Sequence, residues 1–191
     1  MLHTVIDEKL MQNVLRLAGR GDLNVFAYGS LMWNPGFPHK SLHTARVYGY
    51  SRRLSVFSTH YRGTEKVPGL VFGLDIGGSC CGVLLRTAKA NKEDVMRYLF
   101  RREMFANVYE PRYVHARLLK NNAPVRALTF VVRRDRPSFA PPMDTAAAIA
   151  IIQRAHGVGG ANKDYIISTY HELVQRGVHC PQLGNLLNKL K

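Results

Sequence analysis

Glu103 is the residue at which charge and predicted surroundings conflict most clearly. Residues 91–103 have the spacing of a helix, and Met96, Leu99 and Glu103 follow at i, i+3 and i+7, so all three lie on one face. That face is apolar and should be buried, and Glu103 also stands at the negative end of the helix dipole. Both effects raise the pKa of the carboxyl group from about 4.3 towards the range of a general base at neutral pH.

Two other interpretations of Glu103 remain open at the level of sequence. Arg101 or Arg102 could neutralise the carboxylate, or the helix could end early and leave the side chain in water. The pattern alone does not decide between these interpretations and a catalytic base.

The second candidate site is the turn Tyr28-Gly29-Ser30-Leu31, which follows a short apolar run. A glycine after a buried strand lets the backbone turn sharply and bring its N–H groups close to a ligand. Successive N–H groups in such a turn can bind a carboxylate or an oxyanion. An ordinary exit from a strand into a turn is the alternative. Ser30 lacks the Gly-x-Ser-x-Gly surroundings of a nucleophilic serine, so we predict no covalent role for it.

The sequence contains no signature of a metal or cofactor site. The three cysteines, Cys80, Cys81 and Cys180, have neither the spacing of a disulfide framework nor that of a zinc site, and we expect buried or inert thiols in a reducing cytoplasm. The eight histidines are scattered. The glycines within 157–160 lack the preceding strand and the Lys-Ser/Thr pair of a phosphate loop. We therefore predict no metal and no cofactor.

The charge balance is strongly basic. The 191 residues include 27 Lys and Arg against 13 Asp and Glu, a formal net charge of +14. Such an excess attracts anions, but the basic residues are spread in ones and twos, so we favour small anionic ligands over nucleic acid. No apolar run approaches the roughly 18 residues of a membrane span, and no secretory signal is evident. We expect a cytoplasmic protein without a membrane partner.

Strands and helices alternate in blocks along the chain. Helical spacing predicts a first helix from about residue 7 to residue 18. Strands are predicted at about 24–28, 44–57, 69–75, 80–86, 112–119 and 125–132. A hairpin loop is predicted at 75–79, where two glycines favour positive φ. The block order indicates an α+β domain, a small β-barrel of mixed strands with surrounding helices.

Three polar residues are predicted to begin helices. Asn91 should cap the helix that carries Glu103, while Asp144 and Asn162 should cap two helices in the C-terminal third. We find no repeat and no low-complexity linker.

Six segments resemble, in the same order, the motifs of the ChaC-like γ-glutamylcyclotransferase family. These segments are residues 28–36, 49–53, 61–71, 77–83, 98–103 and 159–165. Their order and spacing together carry the resemblance, which spans about residues 23–187.

The resemblance implies a barrel fold with surrounding helices and cleavage of glutathione to 5-oxoproline and Cys-Gly without a cofactor. It places the catalytic glutamate on Glu103 and the substrate-binding loop on Tyr28 to Leu31, and it adds Tyr109 as a further binding residue. It also divides the chain into an N-terminal helical extension, residues 1–22, and a γ-glutamylcyclotransferase-like domain, residues 23–191.

One departure from the family pattern concerns the loop after Glu103. Many relatives have Gly-Gly-Tyr there, where this chain has Asn107-Val108-Tyr109. We interpret this as a bacterial-like variant that affects selectivity among γ-glutamyl peptides rather than the reaction type.

Two other classes of function remain open. A non-catalytic regulatory module of the same fold would not need an ionisable Glu103, and a nucleic-acid-binding protein would need clustered basic residues.

Overall fold

The computed structural model describes residues 6–190 as a barrel with helices around it. The strands are β1 (Leu23–Ala27), β2 (Ser41–Ser58), β3 (Gly69–Thr87), β4 (Tyr109–Leu118), β5 (Pro124–Val132), β6 (His156–Gly157) and β7 (Gly160–Ala161). The helices are α1 (Glu8–Leu17), α2 (Lys92–Glu103), α3 (Thr145–Arg154), α4 (Asn162–Gln175) and α5 (Pro181–Leu190). Single 3₁₀ turns lie at Ser30–Met32, Lys89–Asn91 and Phe105–Asn107.

Strands β1 to β5 close into a barrel in the order β1-β3-β2-β4-β5. Their pairings are antiparallel except those of β5 with β1 and β3, where Val25 is the Cα partner of Leu128 and Leu74 that of Val131. The interior is filled by large apolar side chains, among them the fully buried Phe26 and Phe130. The predicted α+β fold, a small mixed barrel with surrounding helices, is confirmed.

The predicted hairpin at 75–79 is wrong, because β3 runs through this segment without reversing. Gly77 and Gly78 do have positive φ, 101° and 77°, as does Gly49 on the facing strand at 81°. The pairing shifts here, since Tyr48 is opposite Ser79 but Tyr50 is opposite Ile76. Glycines with positive φ serve a bulge as well as a turn, and here they bend two long strands together.

Of the three predicted helix caps, one acts as expected. Asp144 accepts a hydrogen bond from the backbone N–H of Ala147 at 2.8 Å. Asn91 occupies the cap position of α2 but makes no capping hydrogen bond with its side chain. Asn162 lies inside the first turn of α4, after the cap residue Ala161. Helix α5 was not predicted from the sequence.

Helix α1 packs onto the barrel. Met11 is fully buried, and the Tyr113 hydroxyl of β4 donates to the Val14 carbonyl at 3.0 Å. Lys92 at the start of α2 donates to the Gly19 carbonyl at 2.6 Å.

The division into an extension, 1–22, and a domain, 23–191, stays a prediction, and its residues 1–5 and 191 lie outside the described residues. Within residues 6–190, no helix has the length and apolar character needed to cross a membrane.

Candidate active site

One cleft of about 890 Å³ brings together the residues that the sequence analysis proposed for the site. It lies between the exit of β1, the C-terminal end of α2 and the first turns of α4. Its lining includes Tyr28, Gly29, Ser30, Leu31, Glu103 and Tyr109. These residues come from segments far apart in sequence, so the fold assembles the site.

Glu103 is the last residue of α2, and its side chain is 15% exposed. Burial raises the pKa of its carboxyl group above the ordinary value, and the positive charge of Arg102 opposes this increase. Arg102 Nε lies 3.2 Å from Glu103 Oε1. The alternative in which the helix ends early is therefore wrong. The ion pair between Arg102 and Glu103 does exist, but the effect of burial on the pKa of Glu103 is larger than that of Arg102. A carboxyl group with a raised pKa is suited to act as a base and then return the proton.

Arg102 also ties the end of α2 to the turn after β1. Its Nη1 donates to the Asn34 carbonyl at 2.7 Å and to the Tyr98 hydroxyl at 2.9 Å. Its Nη2 donates to Ser30 Oγ at 3.0 Å. One guanidinium group thus contacts both Glu103 and Ser30, and it holds the carboxylate at a set position relative to the turn.

The turn after β1 presents unpaired backbone donors. The N–H groups of Gly29, Ser30 and Leu31 have no hydrogen-bond acceptor among residues 6–190, as expected at the start of the 3₁₀ turn Ser30–Met32. Arg52 supports the turn. Its Nε donates to the Tyr28 carbonyl at 2.6 Å, and its Nη2 donates to the Cys81 carbonyl at 2.6 Å. Three free N–H groups in a cleft can bind a carboxylate or a developing oxyanion.

Three buried tyrosines line the same cleft as Glu103 and feel its charge. Burial raises the pKa of Tyr28, Tyr109 and Tyr165, and the negative charge of Glu103 raises each of them further. All three are therefore neutral phenols at physiological pH. The hydroxyls of Tyr28 and Tyr109 donate to strand carbonyls at 2.7 and 3.1 Å, which sets the orientation of both rings.

Tyr165 differs from the other two because its hydroxyl accepts a hydrogen bond. The donor is the Phe72 backbone N–H at 3.1 Å, and the hydroxyl proton of Tyr165 has no acceptor in the part of the chain that the structure describes. A Cβ atom at Gly29 would lie only 3.0 Å from this oxygen. The φ of Gly29 is −126°, so the close approach to the tip of Tyr165, and not a left-handed backbone, favours a glycine here.

The mouth of the cleft is aromatic. The rings of His60 and Phe105 are 5.6 Å apart, and Tyr61 lies 5.0 Å from His60 and 6.2 Å from Phe105, measured between ring centroids. Arg62 lines the same cleft and donates to the Ala161 carbonyl at 3.1 Å. Its Cζ atom lies 5.8 Å from the centroid of the Tyr165 ring.

The two residues that replace the glycines of the family motif have different surroundings. Val108 is buried and lines the cleft. Asn107 is exposed, lies outside the cleft lining, has a φ of 55° and accepts a hydrogen bond from Arg133 at 2.9 Å. Of this pair, only Val108 is placed to contact a ligand.

Sequence reasoning did not assign Tyr165, Arg52 or Phe105 to the site. Tyr165 and Arg52 lie within segments that carried the family resemblance, but a motif does not say which side chains meet. One signal was available, because Asn162 and Tyr165 are three residues apart and share a helix face. The Asn162 side chain accepts from the Leu70 N–H at 2.6 Å and donates to the Leu70 carbonyl at 2.7 Å. These two hydrogen bonds hold the start of α4, and with it Tyr165, against β3.

A metal ion would need several ligating side chains close together. In the described range, no three or more His, Cys, Asp or Glu side chains are placed to hold one. That the reaction needs no metal or cofactor stays a prediction.

The fold can be compared with those of solved structures. The structure superposes on that of a yeast γ-glutamyl cyclotransferase specific to glutathione with a TM-score of 0.81 and 20% identity, over 89% of this chain and 96% of the other. The fold is therefore that of the γ-glutamyl cyclotransferases.

The family follows from sequence. The profile of a family described as "ChaC-like protein" matches residues 23–191. A glutathione-specific γ-glutamylcyclotransferase of Escherichia coli K12 is 30% identical over 171 residues, which are 90% of this chain and 74% of that one. Glutathione-specific γ-glutamylcyclotransferase 1 of Danio rerio is 30% identical over 154 residues, 79% of each chain. This chain belongs to the ChaC-like family, and the resemblance found in the sequence is confirmed.

Proposed function

We propose that this protein is a glutathione-specific γ-glutamylcyclotransferase, a lyase that converts glutathione to 5-oxoproline and Cys-Gly. The observation that carries the proposal is the pairing, in one cleft, of the buried Glu103 carboxyl group with the free N–H groups of Gly29 to Leu31. The names of the relatives support glutathione as the substrate.

The reaction begins with a proton transfer to Glu103. The α-ammonium group of the γ-glutamyl residue has no lone pair, so the carboxylate must take one of its protons before it can react. The freed amine attacks the γ-carbonyl carbon of the same residue and closes a five-membered ring. The nucleophile belongs to the substrate, so the enzyme needs no covalent serine or cysteine.

Ring closure places negative charge on the former carbonyl oxygen. The N–H groups of Gly29, Ser30 and Leu31 are the donors for this oxyanion or for the α-carboxylate beside it, and the free hydroxyl proton of Tyr165 is a further donor. The C–N bond to Cys-Gly then breaks, and the leaving nitrogen takes the proton held by Glu103. A second proton passes from the ring nitrogen to the leaving amine by the same carboxyl group or through solvent.

The Cys-Gly half of the substrate lies towards the aromatic mouth. His60, Tyr61 and Phe105 supply apolar surface there, and Arg62 supplies a cation for the terminal carboxylate. Contacts remote from the reacting bond decide which γ-glutamyl peptides are accepted. We expect this chemistry in the cytoplasm, without a metal, a cofactor, nucleic acid or a membrane as partner.

Incubation of the pure protein with glutathione is expected to release 5-oxoproline and Cys-Gly in equal amounts. The reaction should proceed without added metal or nucleotide and in the presence of a chelator. Product analysis by chromatography measures both. Absence of 5-oxoproline would contradict the proposed function, whereas loss of activity with a chelator and its recovery with a divalent ion would contradict the metal-free mechanism alone.

Replacing Arg102 with glutamine is expected to move the acid limb of the pH profile of kcat/KM to higher pH. The charge of Arg102 lowers the pKa of Glu103, so its removal raises that pKa further, and acidification then protonates the base at a higher pH. Arg101→Gln is the matched control, because it removes a neighbouring charge that forms no ion pair with Glu103 in the described structure. Acid limbs that coincide in wild type and Arg102→Gln would show that Glu103 is not the titrating base.

Removing side chains from the loop after Glu103 that line the cleft is expected to change selectivity between glutathione and γ-glutamyl-alanine. Phe105→Ala and Val108→Ala remove side chains that line the cleft, and each should alter the ratio of the two kcat/KM values by about tenfold. Asn107→Gly is the control, since Asn107 is exposed and outside the lining. A ratio that changes with Asn107→Gly but with neither of the others would place the selectivity wall elsewhere.

A further inference from the structure

All three cysteines of the chain line a second cleft, which adjoins the first at Phe72 and is also about 890 Å³ in volume. Cys80 and Cys81 come from β3, and Cys180 comes from the segment just before α5. All three are free thiols. The sequence predicted buried or inert thiols, and Cys80 is buried, but Cys81 and Cys180 are partly exposed in this cleft.

The three thiols differ in their surroundings. Cys80 is buried, and burial raises the pKa of its thiol, which makes it unreactive. Cys81 is partly exposed, and the Arg46 guanidinium donates a hydrogen bond from Nε to its sulfur at 3.1 Å. This contact orients the Cys81 side chain and places a positive charge beside its sulfur. Arg46 is the Cα partner of Cys81 across β2 and β3, so the strand pairing keeps this contact in place.

The second cleft is also basic. Besides Arg46, it is lined by Arg52, Arg53 and Lys189. The acidic residue of its lining, Asp75, is paired with Arg134 at 2.8 Å. The cleft therefore attracts an anionic ligand, and its volume accommodates a short peptide.

We propose that Cys81 is a modification site that forms a mixed disulfide with anionic low-molecular-weight disulfides of the glutathione disulfide class. The Cys81 thiol loses its proton to solvent, and its sulfur attacks one sulfur of the disulfide. A new S–S bond forms as the old one breaks, and the departing thiolate takes a proton from water. The Cys81 sulfur is oxidised and one half of the disulfide is reduced, so the disulfide itself is the oxidant. The step does not depend on the activity of the first cleft.

The site is tested by treating the native protein with glutathione disulfide and locating adducts by intact mass and peptide mapping. One glutathionyl group is expected on Cys81 in wild type and in Cys180→Ser, a variant in which the neighbouring thiol cannot resolve the adduct. No adduct is expected in Cys81→Ser. An adduct on Cys80 or Cys180 of the wild type, or none at all under conditions that modify a small free thiol, would overturn the proposal.

The role of Arg46 is tested by the rate of exchange with a neutral probe, bis(2-hydroxyethyl) disulfide. Arg46→Gln is expected to slow adduct formation on Cys81 by about tenfold, because the positive charge beside the attacking sulfur and the contact that orients this sulfur are both lost. Arg53→Gln is the matched control, since Arg53 lines the same cleft but donates to Ser51 and not to sulfur. Equal rates in wild type and Arg46→Gln would show that Arg46 does not activate the thiol.

The charge of the cleft is tested by comparing two disulfides on the wild-type protein. Glutathione disulfide is anionic and cystamine is cationic, and the basic cleft should favour the anion, with the preference declining as salt is added. A preference for cystamine, or a ratio that does not depend on salt, would contradict recognition by charge.

Discussion

Replacing Glu103 with glutamine is expected to lower kcat for glutathione cleavage by about 10²–10⁴-fold, the range for loss of a general base. Glutamine keeps the size of the side chain and can still accept a hydrogen bond from Arg102, but it cannot take a proton from the substrate amine. The measurement is the rate of 5-oxoproline release at saturating glutathione, with KM recorded separately. Near wild-type turnover in a folded Glu103→Gln protein would remove Glu103 from the mechanism.

The matched control for this variant is Glu93→Gln. Glu93 lies on the same helix with a side chain that is 60% exposed, near Arg97 at 3.7 Å. It shares the chemistry of Glu103 without its burial, so its replacement should leave turnover unchanged. A similar loss in both variants would indicate damage to α2 rather than loss of a base.

Stability provides a second readout for Glu103→Gln. Burial raises the pKa of Glu103 in the folded protein above its value in the unfolded chain. Ionisation of Glu103 therefore lowers the free energy of unfolding as pH rises from the unfolded-state pKa through the folded-state pKa. Glutamine carries no such charge. At neutral pH the variant should therefore unfold at a temperature at least as high as the wild type, while turnover collapses. A large fall in Tm would instead indicate a mainly structural role.

The second large effect is expected from Gly29→Val, which should reduce kcat/KM by about a hundredfold, mainly through KM. The new Cβ would lie 3.0 Å from the Tyr165 hydroxyl, and the branched side chain would occupy space beside the free N–H groups of the turn. Substrate should be excluded from the position that ring closure requires. The Tm should change less than affinity does, because the clash is with the tip of a side chain at the cleft surface.

Two further variants separate this steric effect from general damage. Gly21→Val adds the same side chain at a glycine with open space around it and no positive φ, so it should leave KM unchanged. Gly29→Val combined with Tyr165→Phe removes the oxygen that the Cβ would meet, so adding Gly29→Val to Tyr165→Phe should raise KM less than adding it to the wild type. If Tm collapsed in Gly29→Val while affinity for glutathione stayed the same, the turn would have a structural role only.

Local features could be predicted because the groups that form them are close in sequence. Asp144 caps α3 through a residue three positions away, and Gly19, at a φ of 73°, ends α1 where the pattern placed the stop. The same kind of periodicity placed Glu103 on the apolar face of α2. Such features depend on hydrogen bonds and side-chain spacing within one or two turns, which the order of residues specifies directly.

Asn162 and the Gly77-Gly78 pair show where local reasoning fails. An asparagine before a helix is a good cap, but the fold uses this one to bond both backbone groups of Leu70, 92 positions away. Two glycines between strands favour a hairpin, but the pairing with β2 continues past them, so a bulge forms instead. In both cases the residue is suited to either use, and a distant partner decides which one occurs.

The sequence by itself determined that this chain forms a mixed α+β fold, that it belongs to the ChaC-like family, and that Glu103 has a carboxyl group on an apolar helix face. Only the tertiary structure decided whether burial or Arg102 has the larger effect on the pKa of Glu103. It also decided that the Tyr165 hydroxyl lies next to Gly29. It also decided that the cysteines share a basic cleft. The physical reason is distance along the chain. The pKa of a buried group and the shape of a cleft depend on atoms from strands and helices tens of residues apart, and their positions result from packing of the whole barrel.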